Sequence, residues 1–176
     1  MTLQDKLFGF QGRVRRMDWW WLNVLVGIAQ IVTMFALASV MSIANLGSSA
    51  TPVAPFEALA ALPLYILLPI QLAFLWPTLA LSTQRFHDRG WSAWPIFAYY
   101  AVIYGFGYLP EAATVWFTGI APEQQSQLLI AWGVLWIGVA LGFLVVLGFL
   151  DGTQGPNKYG PSPKGIGAQS PAALFD

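Results

Sequence analysis

The sequence predicts an all-α polytopic membrane protein: four transmembrane helices forming two antiparallel hairpins, with the N- and C-termini in the cytoplasm. Three observations carry that expectation. The 176-residue chain is 57% hydrophobic and only 9% charged, far from the roughly one-quarter charged content of a soluble domain. Four apolar runs approach or exceed the ~20 residues needed to cross ~30 Å of hydrocarbon. All eight basic residues fall into segments that an even number of crossings places on one side of the membrane.

The runs cover roughly 19–44, 56–83, 93–109 and 128–150. Before the first, Leu3, Leu7, Phe8 and Phe10 are expected to dip into the interface as an amphipathic collar, with arginines meeting anionic headgroups. The first run contains Ala36-Leu37-Ala38, which resembles a signal-peptide cleavage site. It is longer than the usual ~7–15-residue apolar core and opens on Trp19-Trp20-Trp21, so it reads as a retained span. The second contains Pro63, Pro69 and Pro77; each removes a backbone donor and bends the helix, which membrane helices tolerate when neighbours satisfy the freed carbonyls. The third is the shortest and stops at Pro110-Glu111, after which an interfacial helix over 110–118, with Trp116 and Phe117, can follow on the outer side. The fourth carries Gly138-Val139-Ala140-Leu141-Gly142, a small-xxx-small pattern that allows close backbone contact within the bundle or, in a homo-oligomer, between copies. Residues 1–161 thus read as a single four-helix membrane domain and 162–176 as a flexible cytoplasmic tail.

Charge placement sets the orientation. Lys6, Arg13, Arg15 and Arg16 precede the first span, Arg85 and Arg89 follow the second, and Lys158 and Lys164 follow the fourth; the 45–55 and 119–127 connections contain no basic residue. The positive-inside rule then puts both termini in the cytoplasm. Glu57, Glu111 and Glu123 fall on the outer side, Trp19, Trp20, Trp21, Trp91 and Trp94 form an inner aromatic belt, and Trp116 is a candidate for the outer one. Formal net charge is zero, which gives no basic field for nucleic acid. With no cysteine, the chain can form neither disulfides nor thiolate metal sites, and no cofactor is implied.

The stretch Gln84-Arg85-Phe86-His87-Asp88-Arg89-Gly90-Trp91 holds the chain's single histidine. If the second helix continues to Asp88, Arg85 and Asp88 are three residues apart and can face one another. Gly90 then stops the helix and Trp91 anchors the turn. A base-and-acid use of His87 and Asp88 is weak, because neighbours on a helix point about 100° apart. One histidine without cysteine is also a poor metal set. The plainest reading is a salt-bridged connector that sets topology; the sharper one is a cluster that meets lipid phosphates or a partner's acidic groups. Deeper in the membrane, Gln30 and Gln71 lie at similar depth and are expected to bond each other across the first hairpin.

Two more cytoplasmic segments can converge on this connector: Phe10-Gln11-Gly12-Arg13 with Arg16, and Gly152 to Pro163, whose glycines and prolines dictate consecutive turns. That second segment lacks the strand before and the helix after that a phosphate-binding glycine loop needs. Together, in this order, the three segments resemble the domain of unknown function 805 (DUF805) family of small bacterial inner-membrane proteins. Its pattern is Phe-x-Gly-Arg-x-x-Arg before the first span, an Arg-x-x-His-Asp-like turn, and a Gly-x-x-Gly-x-Asn-x-Tyr-Gly-x-x-Pro tail. The chain departs from it at the turn, where Phe86 stands in place of a further basic residue. The resemblance implies four spans in a bacterial inner membrane and no assigned activity.

The resulting expectation is a non-enzymatic structural, regulatory or accessory membrane protein. Its cytoplasmic cluster, Arg13, Arg16, Arg85, His87, Asp88, Asn157 and Tyr159, would bind anionic lipid headgroups or a membrane protein partner. In that scheme the arginines contact anions, Asp88 orders Arg85, and the tail lays Asn157 and Tyr159 against the connector. A small-solute transporter or channel would instead need a continuous polar cavity between the spans. A membrane enzyme would need His87 and Asp88 together in a cytoplasmic pocket.

Overall fold

The computed structural model describes residues 1–46, 57, 64–107 and 119–167. Among them the regular elements are all helices, with no strand: α1 (Leu3–Phe8), α2 (Arg16–Leu46), α3 (Leu64–Asp88), α4 (Trp94–Gly107) and α5 (Pro122–Leu144), the last continuing into a π-helical turn over Val145–Phe149. Pro63, the expected outer helix over 110–118, Trp116 and the tail from 168 onward lie outside the described residues.

Among the described residues, three helices are long and apolar enough to cross a membrane, over Arg16–Ile43, Tyr65–Asp88 and Glu123–Phe149. The third expected span overlaps α4, an apolar helix described over the 14 residues Trp94–Gly107, and its last two residues lie outside the described ones. Helix ends also run past the apolar runs. The second run was bounded at 83, yet α3 continues to Asp88, because the residues beyond 83 are polar but buried.

The chain forms two compact units. The first comprises Met1–Phe10 and Trp20–Leu81. Its α1 opens on a capping box in which Thr2 and Asp5 satisfy each other's backbone N–H groups. The short helix is tied down by Trp76, whose Nε1 donates to the Phe8 carbonyl at 3.3 Å and whose ring meets Phe10 edge-on at 5.2 Å. Gln30 Nε2 donates to Gln71 Oε1 at 2.7 Å, joining the middles of α2 and α3. Thr33, Ser39 and Thr78 return their hydroxyls to the carbonyl four residues back, which satisfies them without a neighbour. Val24, Leu25, Ile28, Ile31, Val32 and Phe35 stand exposed, a surface composed for lipid rather than water.

The second unit comprises Gln11–Trp19 and Ser82–Asp176. Its apolar packing is largely aromatic: Tyr99 of α4 lies 5.5 Å from Trp136 and 5.1 Å from Phe143 of α5, and Phe86 at the end of α3 meets Phe143 at 6.0 Å. Val14, Phe86, Ala93, Ile96 and Leu147 are buried there.

Candidate functional site

Two helix ends make the site, and each supplies what the other lacks. A helix C-terminus leaves its last carbonyls without intrahelical donors. On α3, the chain turns through Gly90 at φ 75°; Gly90 N donates to His87 O and Trp91 N to Phe86 O, both at 3.0 Å. This is a Schellman cap, with the Phe86 and Trp91 rings 6.3 Å apart providing its apolar contact. The 151–163 segment completes the cap. Thr153 N and Oγ1 both donate to Asp88 O, at 2.8 and 2.9 Å, and Asn157 Nδ2 donates to His87 O at 2.9 Å.

The other end is the π turn after α5, where the carbonyls are taken by arginines. Arg85 donates from Nε to Leu147 O at 2.8 Å and from Nη2 to Leu150 O. Arg16 Nη1 donates to Phe149 O at 3.2 Å and Arg89 Nη1 to Asp151 O at 2.9 Å. Cations at a helix C-terminus are favoured twice, as donors to orphan carbonyls and as partners of the negative dipole end.

Between these ends lies a buried Arg13–Asp88–Arg85 knot, with the three residues 4%, 3% and 1% exposed. Asp88 Oδ1 accepts from Arg13 Nε at 3.1 Å and lies 3.0 Å from Nη2, while Oδ2 accepts from Arg85 Nη1. One carboxylate cannot neutralise two guanidinium groups, and the remaining donors go to neutral carbonyls. Arg13 reaches Gly155 O and Thr153 O, each at 2.7 Å, and Gly160 O at 3.2 Å. Such saturation is what makes buried charge tolerable, since a buried ion lacking partners costs several kcal/mol. Gly152 closes the floor: a Cβ there would meet Asp88 Oδ1 at 2.8 Å and come nearer still to Oδ2 and Cγ.

His87 stacks on Tyr159 with ring centroids 3.8 Å apart and 8° between planes, and its buried Nδ1 has no hydrogen-bond partner among the described residues. Lys158 covers Tyr159 at 4.9 Å. Tyr159 N donates to Asn157 Oδ1 at 2.9 Å, and Asn157 and Gly160 exchange backbone bonds in a tight turn. Further out, Asp151 is exposed and lies 3.3 Å from Lys164 Nζ and 3.5 Å from Arg16 Nη1. The Lys164 hydrogen bond, followed by the Arg16 charge, holds its carboxyl below the usual carboxylate range.

All seven residues of the expected cluster therefore lie in one unit, but not all in the expected role. Arg13 and Arg85 spend their donors on protein oxygens and face inward, so they do not meet lipid phosphates. Both Asp88 oxygens are held by arginines, Oδ2 by the Arg85 it was expected to order. Gly138 and Gly142 are exposed, with no described atom within 4 Å of an added Cβ; the within-chain contact expected of them is not formed among the described residues. Residues 162–164, read as part of a free tail, include Pro163 O accepting from Arg15 Nε at 2.6 Å. Sequence reasoning passed over Thr153 and the α5 carbonyls as partners, and Gly152 as a residue that must be small. The Gly152-Thr153 turn was visible in the sequence, but nothing there shows which helix end it covers. A small cavity of about 60 Å³ opens beside Asp88, Asp151, Thr153, Ser162 and Lys164, well below the several hundred Å³ of ligand pockets.

The model for the family described as protein of unknown function (DUF805) matches residues 7–161 of this chain. Two relatives called uncharacterized protein YiiR, from Escherichia coli strain K12 and Escherichia coli O157:H7, are each 30% identical over 171 residues. The match covers 94% of this chain and 93% of theirs. No solved structure matches.

Proposed function

We propose, from the premise that the chain belongs to the DUF805 family of proteins of unknown function, that it is a non-enzymatic inner-membrane module whose cytoplasmic face is built by the Arg13–Asp88–Arg85 knot. That face meets anionic lipid or a membrane partner, in the manner of a structural or accessory subunit. The single observation behind this reading is that the knot's polar groups are consumed internally. Asp88 is doubly ion-paired, and the arginines cap a helix and hold the 153–160 segment. Groups locked in this way organise a surface; they are not poised to move protons or displace a leaving group.

The knot also supports four crossings. Arg13 is bonded to Asp88 and to Thr153, so the chain comes back to one face twice. With Arg16–Ile43 leaving that face and Tyr65–Asp88 and Glu123–Phe149 returning to it, an outward crossing that includes α4 completes an even number of spans. The one-sided distribution of basic residues supports a cytoplasmic position for the shared face.

Because the chain has no cysteine, single-cysteine variants test this orientation directly. Gln4→Cys and Gln154→Cys should react with an impermeant maleimide only in opened cells, and Gln124→Cys in intact ones. External labelling of Gln154→Cys would sink the topology. For function, purification into lipid nanodiscs followed by identification of retained lipid and protein is decisive. Asp88→Ala should lose what the native chain retains, and unchanged retention would mean the knot does not shape a binding face.

A further inference from the structure

We infer that Arg15 and Arg16 form a seat for the phosphate of an anionic phospholipid, a deepening that rests on the lipid-facing reading above. The two arginines sit where the chain enters α2, and they differ from Arg13 in what they keep free. Arg15 is held at one corner, Nε to Pro163 O at 2.6 Å, and Arg16 at another, Nη1 to Phe149 O at 3.2 Å with Asp151 Oδ1 at 3.5 Å. The Nη groups of Arg15 and the Nε and Nη2 of Arg16 donate to no described residue. Both side chains are exposed, Arg16 by 45%. Each guanidinium is thus fixed in position by a backbone carbonyl while its remaining edge points to the surroundings. That restraint removes part of the side-chain entropy a flexible cation would lose on binding, and a planar fork suits two oxygens of one phosphate.

Depth matches as well. Trp21, 64% exposed, follows Arg16 by five residues, or about 7.5 Å of helix rise. Exposed tryptophans at a span's end settle at headgroup level, which leaves the arginines one turn further out, where phosphates lie. Other cations of the second unit turn their charge toward the protein: Lys164 is on Asp151, Lys158 on the Tyr159 ring, and Arg89 on Asp151 O and the Trp91 ring. A zwitterionic headgroup brings its own ammonium to the phosphate, whereas an anionic one leaves a charge for the arginines to take.

The test compares the full-length protein in nanodiscs of phosphatidylcholine alone and of phosphatidylcholine with phosphatidylglycerol, read by native mass spectrometry of retained lipid and by melting temperature. Phosphatidylglycerol should be retained selectively and should raise the melting temperature. With each basic residue contributing about 1 kcal/mol at an anionic surface, Arg15→Gln with Arg16→Gln should weaken retention roughly thirtyfold. Arg15→Lys with Arg16→Lys keeps the charge and guards against a folding defect; it should still lose most of the selectivity, because the forks are gone. Lys6→Gln with Lys158→Gln removes equal charge elsewhere and should retain the lipid. If that control loses as much as the arginine pair, the seat is refuted while general lipid attraction stands. If the native protein shows no preference for phosphatidylglycerol, the seat and the lipid reading fall together. If inorganic phosphate in phosphatidylcholine discs stabilises as strongly as phosphatidylglycerol, the assignment to a lipid is overturned.

Discussion

Replacing Gly152 by alanine adds one methyl group and should undo the face built on the Arg13–Asp88–Arg85 knot. The residue's backbone is not left-handed, so alanine meets no conformational penalty and the effect is purely steric. The new Cβ would sit 2.8 Å from Asp88 Oδ1 and inside van der Waals contact with Oδ2 and Cγ. The carboxylate cannot retreat, because Arg13 holds Oδ1 and Arg85 holds Oδ2. Movement of the 152–160 segment is the cheaper relief. It forfeits Thr153 N to Asp88 O and the Arg13 bonds to Thr153 O and Gly155 O. Hydrogen bonds to a charged group are each worth about 1.5–3 kcal/mol, offset by rehydration of the freed arginine. A net loss of about 3 kcal/mol is expected, or roughly a 150-fold shift toward the undocked segment. Amide hydrogen exchange in nanodiscs reads this at Thr153, whose protection should fall by that factor. Native-like protection at Thr153 together with an unchanged melting temperature would refute the claim that the knot requires contact at Gly152.

Gly155→Ala offers the contrast, since φ is 76° there and a Cβ meets nothing within 4 Å; only the left-handed strain of about 1–2 kcal/mol should appear in the melting curve. Arg85→Lys keeps the charge, but a single ammonium cannot reach Asp88, Leu147 O and Leu150 O together. It should cost about 2–4 kcal/mol by thermal unfolding in nanodiscs. Gln30→Leu breaks the bond to Gln71 and should destabilise by about 0.6–2 kcal/mol, measured in the same assay. Asp151, whose pKa is depressed, contributes to docking of the 162–164 residues above the usual carboxylate range and loses that contribution as pH falls through its lowered value. Acid below about pH 4 should therefore loosen the 162–164 residues, seen as greater backbone mobility at Lys164 by NMR relaxation, and Asp151→Asn should abolish the acid step.

The helices were largely legible in the sequence because apolar runs are their own signal, and the residue that ends α3 was legible because Gly90 is one of few ways to stop a helix so sharply. What the runs hid is that α3 continues through Gln84, Arg85 and Asp88 in full burial. Hydropathy reports the preference of a side chain for water, and these side chains found partners instead. The sense of each arginine was equally hidden. Arg13, Arg15 and Arg16 fall within four residues of one another, yet only Arg13 points inward, and that depends on carbonyls about 140 residues away. Gly138 and Gly142 show the reverse case: spacing marks a surface capable of close approach without saying what approaches it.

The reciprocal capping of α3 and α5 also sets an order of events during synthesis. Arg85 and Asp88 leave the ribosome long before Leu147, Thr153 and Gly155 exist, so the guanidinium groups and the α3 carbonyls wait in the hydrated interface while the last helix inserts. This face can then close only as a final step, when the last of its residues emerges. A nascent chain halted anywhere before Gly155 exposes polar groups that the finished protein conceals. Early truncations should therefore be poor substrates for stable accumulation even when every membrane helix is present.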